Sequence, residues 1–406
     1  MDVESFAAKF SFGRGGLLPQ EEMLETQSQR RKLTVGIPRE FDKNESRITL
    51  TPQAVETLVN NGYTILVEKD AGIGASFTDI KYTEAGAAIV TNKEEVYQAD
   101  ILLKVAPFSP AEIAMLRPKQ TIISSFIIGP GSQEIIKALI DKKVTAIGFE
   151  YMVDLNGIYP VVRSLSEIGG NISIMVAAEY LSNENKGKGV LLGGVTGVTP
   201  TEVVILGANT AGEFAARTAI GLGATVKIFD NHLERLITIQ NSLGQRVFTS
   251  NYHPSVLRKA LSSAEVVIGA LQLVEEGQAF FVSEDMVRGM KPGSIIVDLS
   301  IDQGGCFETS CCTTHQKSTF QKFGVTHYCV PNITSRVART SSIALSNIFS
   351  PVLLKMGEFG GIANFIKKDF TTRQGVYVYN GILTNHYISK QLGIPYRNID
   401  LLMAAF

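Results

Sequence analysis

The stretch Thr201 to Asp230, TEVVILGANTAGEFAARTAIGLGATVKIFD, constrains the fold of this chain more than any other. Val203 to Leu206 reads as a short apolar strand and Gly207 to Gly212 as a tight turn. Glu213 to Leu222 reads as a helix, and Thr225 to Phe229 as a second buried strand that ends at the acid Asp230. A strand, glycine turn, helix, strand and acid in that order and length make a βαβ unit of the size a dinucleotide site needs.

The helix N-terminus offers free backbone N–H groups and the positive end of the helix dipole, so a pyrophosphate is expected there. Asp230 follows Gly207 by about 23 residues, close to the ~20 at which a carboxylate accepts the ribose hydroxyls. An acid at that place repels a 2′-phosphate, which favours NAD over NADP. The loop departs from G-x-G-x-x-G at its middle glycine, where Asn209 stands. Asparagine tolerates left-handed φ, so the turn is expected to survive. The expected cofactor residues are Gly207, Asn209, Thr210, Ala211, Gly212 and Asp230, with Ala270 and Leu271 at the end of a later strand. A tight turn in an ordinary α/β domain is the plainer reading of the loop taken alone.

With 406 residues, the chain has room for two or three domains. Hydrophobic residues make up 45% and charged residues 19%, a globular balance, and a net charge of −1 gives no general attraction to nucleic acid or anionic lipid. No apolar run approaches the ~20 residues of a membrane span, and the acid-containing start is a poor secretory signal, so a cytoplasmic location is expected. Cys306, Cys311, Cys312 and Cys329 are too few for a disulfide scaffold. The first three form C-x4-C-C-x2-H with His315. Adjacent cysteines rarely reach one tetrahedral ion together, so inert thiols are expected rather than zinc.

Strands alternate with helices along the chain, which implies mostly parallel sheets covered on both faces. Residues 1–31 form an N-terminal extension ending in a polar run, EEMLETQSQRR, that suits a short helix. Strands are expected at Leu33 to Ile37, Thr64 to Glu68, Asp100 to Val105, Thr121 to Phe126 and Val144 to Phe149. Thr51-Pro52 and Ser109-Pro110 open capped helices. A long helix, Glu167 to Asn183, looks like the hinge to the Thr201–Asp230 unit. Further strands follow at Val266 to Ala270, Ile295 to Leu299 and Thr326 to Val330, and then an apolar helix, Ser341 to Met356, with no obvious strand after it. The expected architecture is α/β, with two Rossmann-like doubly wound domains and a cleft between them, the cofactor domain (residues 164–335) being inserted into a substrate domain (32–163 and 336–406).

Several polar residues fall at strand ends, where such sheets place their ligands. Asp302, in DLSIDQGG, suits a side chain aimed into a cleft or an Asx-type turn. Arg47, in NESRI, suits bidentate capture of a carboxylate or a solvated charge. Lys104 interrupts the apolar strand ILLKV, where an ionised amine is costly unless paired or at the rim. Ser166 suits the N-cap of the long helix and a place beside the cofactor. His315 and His327 lie nearest the expected cleft, with structural roles equally in view.

From Leu33 to Phe406 the chain resembles the alanine dehydrogenases and the related NAD-binding subunit of proton-translocating transhydrogenase. The stretches that carry the resemblance are VGIPRE, NESRITLTP, ILLKV, SEIGG, GKGVLLGGVTGV, KPGSIIVDLSIDQGGCFETS and HYCVPN, in that order. The resemblance implies NAD in the cleft, assembly as a hexamer or dimer, and oxidative deamination of L-alanine to pyruvate and ammonia or of a related small amino acid. It assigns Arg47 to the substrate carboxylate, Asp302 to catalysis beside the nicotinamide, Asp230 to the adenosine ribose, and Ser166 and Asn332 to the cofactor lining. The family's second lysine is replaced by Ala106 and its catalytic histidine by Ile127; its proline-rich nicotinamide loop is altered at Leu273 to Gln278. The lost pair leaves Asp302 and Lys104 as catalytic candidates, and brings in a transhydrogenase-like hydride carrier or an NAD(H)-binding regulatory protein as alternatives.

Overall fold

The computed structural model describes residues 33–271 and 281–404. The N-terminal extension with its polar run, and the altered loop at Leu273 to Gln278, lie outside the described residues.

Two sheets account for the strands. The first contains β1 (Thr34–Ile37), β2 (Thr64–Glu68), β3 (Ala88–Val90), β4 (Ile101–Leu103), β5 (Thr121–Ser124) and β6 (Thr145–Gly148). They are arranged β3-β2-β1-β4-β5-β6, all parallel. The second contains β7 (Glu202–Leu206), β8 (Thr225–Phe229), β9 (Phe248–Ser250), β10 (Val266–Gly269), β11 (Ile295–Asp298), β12 (Thr319–Lys322) and β13 (Val325–Tyr328). Its order is β9-β8-β7-β10-β11-β13, parallel, with β12 added antiparallel at the edge. Each sheet thus has the doubly wound order 3-2-1-4-5-6, with a switch point between β1 and β4 in one and between β7 and β10 in the other. Apolar clusters cover both faces of each sheet, which is why the central strands are continuous Val, Ile and Leu runs rather than alternating ones.

The chain crosses between the sheets twice. The first crossing is the helix Pro160–Leu181, whose Val161 is buried in the core of the first sheet while Ile172, Ile174 and Leu181 are buried in that of the second. It starts earlier than the sequence pattern suggests, because Pro160 is preset for the first helical turn. Ser166 therefore lies inside the helix and is not its N-cap. Gly170 lets this helix pack against the helix Thr210–Gly221; a Cβ there would stand 2.3 Å from the carbonyl oxygen of Ala211.

The second crossing runs through the 3₁₀ turn Ile333–Val337 into the helix Ala338–Glu358. That helix has the length and hydropathy of a membrane span, yet Leu345, Phe349, Leu353 and Met356 are buried in the first core. It is followed by strands after all. β14 (Val376–Tyr379) pairs antiparallel with β6, and β15 (Ile382–Leu383) with β14. β14 and β15 are joined by a tight antiparallel connection that needs no crossover helix, so the alternation that marks the other strands stops at β14. Through these strands the second sheet is an insertion within the first.

Candidate functional site

The turn after β7 is built from its two glycines. Gly207 has φ +112°, and a Cβ there would lie 2.3 Å from the Ala270 carbonyl oxygen; one on Gly212 would lie 1.9 Å from that of Gly207. Strand, turn and helix can close only without those carbons. Asn209 has φ −91° and ψ −173°, so the left-handed conformation expected of it falls on Gly207 instead. Its side chain is the N-cap of the helix Thr210–Gly221, which therefore begins one turn earlier than the apolar pattern suggests. Oδ1 accepts from the Gly212 N–H at 3.1 Å, and Nδ2 donates to the carbonyl of Ala270 at 2.5 Å. The cap ties the turn to β10 across the switch point.

A cavity of about 420 Å³ opens at this place, lined by Asn209, Thr210 and Ala211, by Ala270 and Leu271, and by Ser166 from the crossing helix. The N–H groups of Thr210 and Ala211 belong to a first helical turn, which has no intrahelical acceptors for them. Gly207, Gly212 and Asp230 are not among the residues that line it. Asp230, buried at the end of β8, accepts from the backbone N–H groups of Ala208 and His232 at 2.8 Å each and pairs with His232 Nδ1 at 3.0 Å. Arg235 lies 3.9 Å from its other oxygen.

A second cavity, of about 230 Å³, lies at the switch point of the first sheet. Its wall includes Arg47 from the loop after β1, Ala106 after β4, Ser125 and Ile127 after β5, and Asn332 from the second sheet's side. Ala106 and Ile127, the two replacements expected from the resemblance, thus line the cavity that holds Arg47. The guanidinium of Arg47 is buried and forked on Glu45, with Nε donating to Oε1 at 2.7 Å and Nη2 to Oε2; Nη1 donates to Thr334 Oγ1 at 2.8 Å. Glu45, two residues before Arg47, was visible in the motif, but nothing in the sequence marks it as the arginine's own counter-ion. Asn332 Nδ2 donates to the Asn44 carbonyl at 2.7 Å, and its Oδ1 meets His315 Nε2 at 3.1 Å. Asn332 therefore joins the loops of both sheets beside Arg47, apart from Ser166.

Lys104 does not turn into either cavity, which corrects its listing among the catalytic candidates. Its ammonium donates to Glu112 Oε1 at 2.8 Å and lies 3.5 Å from Glu40 Oε2, in a buried cluster with Tyr97 and Phe108. A cation this deep requires partners, and Glu112 supplies one from the helix Pro110–Met115. Burial pulls the Glu112 carboxyl up, but Lys104 and Ser109 outweigh it and leave it below the usual range. Burial raises Glu40 to about 7 against the pull of Lys104. Glu40 Oε1 accepts from the Val105 N–H at 2.7 Å, so the cluster fixes the backbone that carries Ala106.

The acidic loop after β11 divides into two roles. Asp298, buried, accepts from Ser300 N–H (3.1 Å), Cys306 N–H (2.8 Å) and Ser310 Oγ (2.6 Å). The Asx-type turn is thus made by Asp298, which the sequence reading did not single out. Asp302 sits in the 3₁₀ turn Ile301–Gln303, between Ser300 and Gln303, which both line the larger cavity. Its surface is solvent-accessible, while surrounding protein crowds the carboxyl and, with the Asp298 charge adding, raises its pKa to about 6. His327 is structural: fully buried, stacked on Phe320 and bonded to Thr309, it is held by burial at about 4. Cys306 is buried and Cys311 and Cys312 are exposed; among the described residues no three His, Cys, Asp or Glu side chains are grouped to hold one ion.

Comparison with known proteins covers both sheets. The family model described as alanine dehydrogenase/PNT, N-terminal domain, matches residues 36–169, and the C-terminal domain model matches residues 173–386. An alanine dehydrogenase of Methanococcus maripaludis is 38% identical over 366 residues, 90% of this chain and 98% of that protein. One from Staphylococcus saprophyticus is 36% identical over 91% of this chain and 99% of that protein. Among solved structures, an L-alanine dehydrogenase superposes with a TM-score of 0.83 at 34% identity, covering 88% of this chain and 98% of that one. The transhydrogenase of Sinorhizobium meliloti, at 24% identity and a TM-score of 0.74, shares the fold. Matched over both of its sheets, the chain belongs to the alanine dehydrogenase/PNT family.

Proposed function

We propose that this protein is an NAD-dependent dehydrogenase that oxidatively deaminates L-alanine, or a related small amino acid, to the 2-oxo acid and ammonia. The observation that carries the reading is the pairing of an arginine-lined cavity at one switch point with a cavity at a helix N-terminus at the other. Arginine has five N–H donors; with three engaged by Glu45 and Thr334, two remain, one on each terminal nitrogen, for a substrate carboxylate. The residues lining the larger cavity fit the dinucleotide: the N–H groups of Thr210 and Ala211 suit its pyrophosphate, and Ser166, Ala270 and Leu271 its body, while Asp230, bonded to the glycine turn at Ala208, suits its ribose. NAD supplies the hydride acceptor. Asp302, with a pKa of about 6, is suited to exchange a proton near neutral pH.

The same reading expects a homo-oligomer, a hexamer or dimer, in the cytoplasm, which light scattering on the purified protein and fractionation of cells test. The experiment for the activity is NADH oxidation with pyruvate and ammonia beside calorimetric titrations of NAD and NADP. Turnover with NAD bound in preference to NADP supports the reading. A second reading is favoured by Ala106 and Ile127, which bring no titratable atom to the Arg47 cavity. In it the protein binds NAD(H) as a regulatory protein or passes hydride to a partner. NAD binding without turnover across small 2-oxo acids selects that reading, and failure to bind NAD overturns both.

A further inference from the structure

Deamination moves protons twice, from the substrate nitrogen and from the water that hydrolyses the imine, so the Arg47 cavity needs a proton acceptor. Ala106 and Ile127 supply none, and the two carboxylates on its wall are engaged, Glu45 by Arg47 and Asp42 by the backbone and side-chain N–H groups of Asn44. Ser125, on the same wall, does have an exchangeable proton, and its hydroxyl donates to Glu150 Oε1 at 3.2 Å. β5 and β6 are adjacent and in register from Thr121 with Thr145 to Ser124 with Gly148, which brings the residues just beyond their ends together. Glu150 Oε1 also accepts from the Phe126 N–H, which fixes the loop bearing Ile127. Its Oε2 is sealed from solvent and meets no hydrogen-bond partner among the described residues.

A carboxylate oxygen buried without a donor is expensive, and taking up a proton removes the charge that makes it so. Burial holds this carboxyl at about 7, so both of its forms are accessible near neutral pH. The titratable groups beside it are Tyr151 and Tyr377, phenols that burial pushes upward and that stay protonated.

We propose that Ser125 and Glu150 form a two-member proton relay serving the Arg47 cavity, in place of an acid/base side chain at position 127. The relay rests on the dehydrogenase reading. In deamination, the substrate nitrogen or the attacking water gives its proton to Ser125 Oγ as the serine's own proton passes to the Glu150 carboxylate. One O–H bond forms at Ser125 as another breaks, and no electrons are exchanged. In amination the same protons return. The other route, from His315 through Asn332, is poorer because its link is a side-chain amide, which must tautomerise to pass a proton, whereas one hydroxyl oxygen both accepts a proton and releases one.

The test is steady-state turnover of pyruvate, ammonia and NADH across pH 5.5–9 by wild type, Glu150→Gln, Ser125→Ala, Ser125→Thr and His315→Gln, with calorimetric NAD binding and melting temperature as folding controls. Glutamine keeps the acceptor for Phe126 but cannot take the proton. Expected is a kcat lower by roughly 10²-fold in Glu150→Gln and Ser125→Ala, with KM for pyruvate within about twofold. The pH limb near 7 vanishes in Glu150→Gln, Ser125→Thr recovers most of the rate, and His315→Gln resembles wild type. If Glu150→Gln fails to fold, Ser125→Ala and Ser125→Thr decide alone. Wild-type turnover matched by the Glu150 and Ser125 variants, or lost in His315→Gln in their place, overturns the relay and leaves the dehydrogenase reading intact. A wild type that binds NAD without turnover overturns both.

Discussion

A guanidinium already forked on its own chain's carboxylate binds a substrate differently from a free one. Glu45 and Thr334 fix the plane of Arg47 in advance, so little side-chain entropy is lost when a carboxylate arrives, while the Glu45 charge offsets part of the attraction. Arg47→Lys keeps the charge and loses the fork. If Arg47 holds the substrate, KM for pyruvate rises roughly 10–100-fold, the equivalent of one charge-assisted hydrogen bond, with NAD affinity unchanged by calorimetry. Glu40 gives a prediction about pH. Its pKa is about 7 in the fold against 4.5 when exposed, so the fold prefers the protonated form. The resulting penalty is absent below the exposed value and grows as pH rises through about 7. Glu40→Gln is therefore expected to gain stability relative to wild type on going from pH 5 to pH 8.5, by at most about 3 kcal/mol in urea unfolding, with the Lys104–Glu112 pair left in place. The sequence made Arg47 conspicuous by its place in a loop at a strand end and Lys104 by a charge in an apolar strand, but which of them meets a cavity depends on residues that fold in from elsewhere. Glu112 is eight positions from Lys104, and Thr334 lies on the far side of the inserted sheet from Arg47.

Among the elements, the turn after β7 carries most of the legible information. Its glycines and strands follow from local patterning alone. The capping role of Asn209 does not, because the residue was weighed as a missing glycine rather than as a hydrogen-bonding side chain. Asn209→Ala removes both the bond from Gly212 and the tie to Ala270. It is expected to cost about 1 kcal/mol, read as a lower melting temperature, and to weaken NAD binding by disordering the turn. Gly170→Ala places a carbon against the Ala211 carbonyl and forces two helices apart, at a cost of roughly 1–3 kcal/mol. Because that carbonyl belongs to the first turn of the capped helix, calorimetry should show weaker NAD binding in this variant even though Gly170 lines neither cavity. Strands β3, β9 and β12 were not legible because they are short and partly exposed at or near sheet edges, where little burial shapes the sequence.

At the scale of the whole molecule, the two doubly wound sheets and the return of the chain to the first were legible because buried parallel strands and their helices imprint a strong rhythm; the two strands that make the return were not, because β14 and β15 are short and join the sheet antiparallel. Both passages between the sheets run side by side: the helix Pro160–Leu181 packs against the 3₁₀ turn Ile333–Val337 and the helix Ala338–Glu358 that follows. Two bodies joined by two adjacent rods keep one easy rotation, about the line of the rods, and resist twisting or sliding. Residues close to that line barely move when the bodies swing. The Arg47–Thr334 and Ser46–Ser335 bonds link the first sheet's loop to the turn that is itself one of the rods. Arg47 and the glycine turn, whose Ala211 carbonyl packs on Gly170 of the first rod, therefore both lie beside the axle, and in such a rotation it is the strands farthest from the rods that sweep through the larger arc.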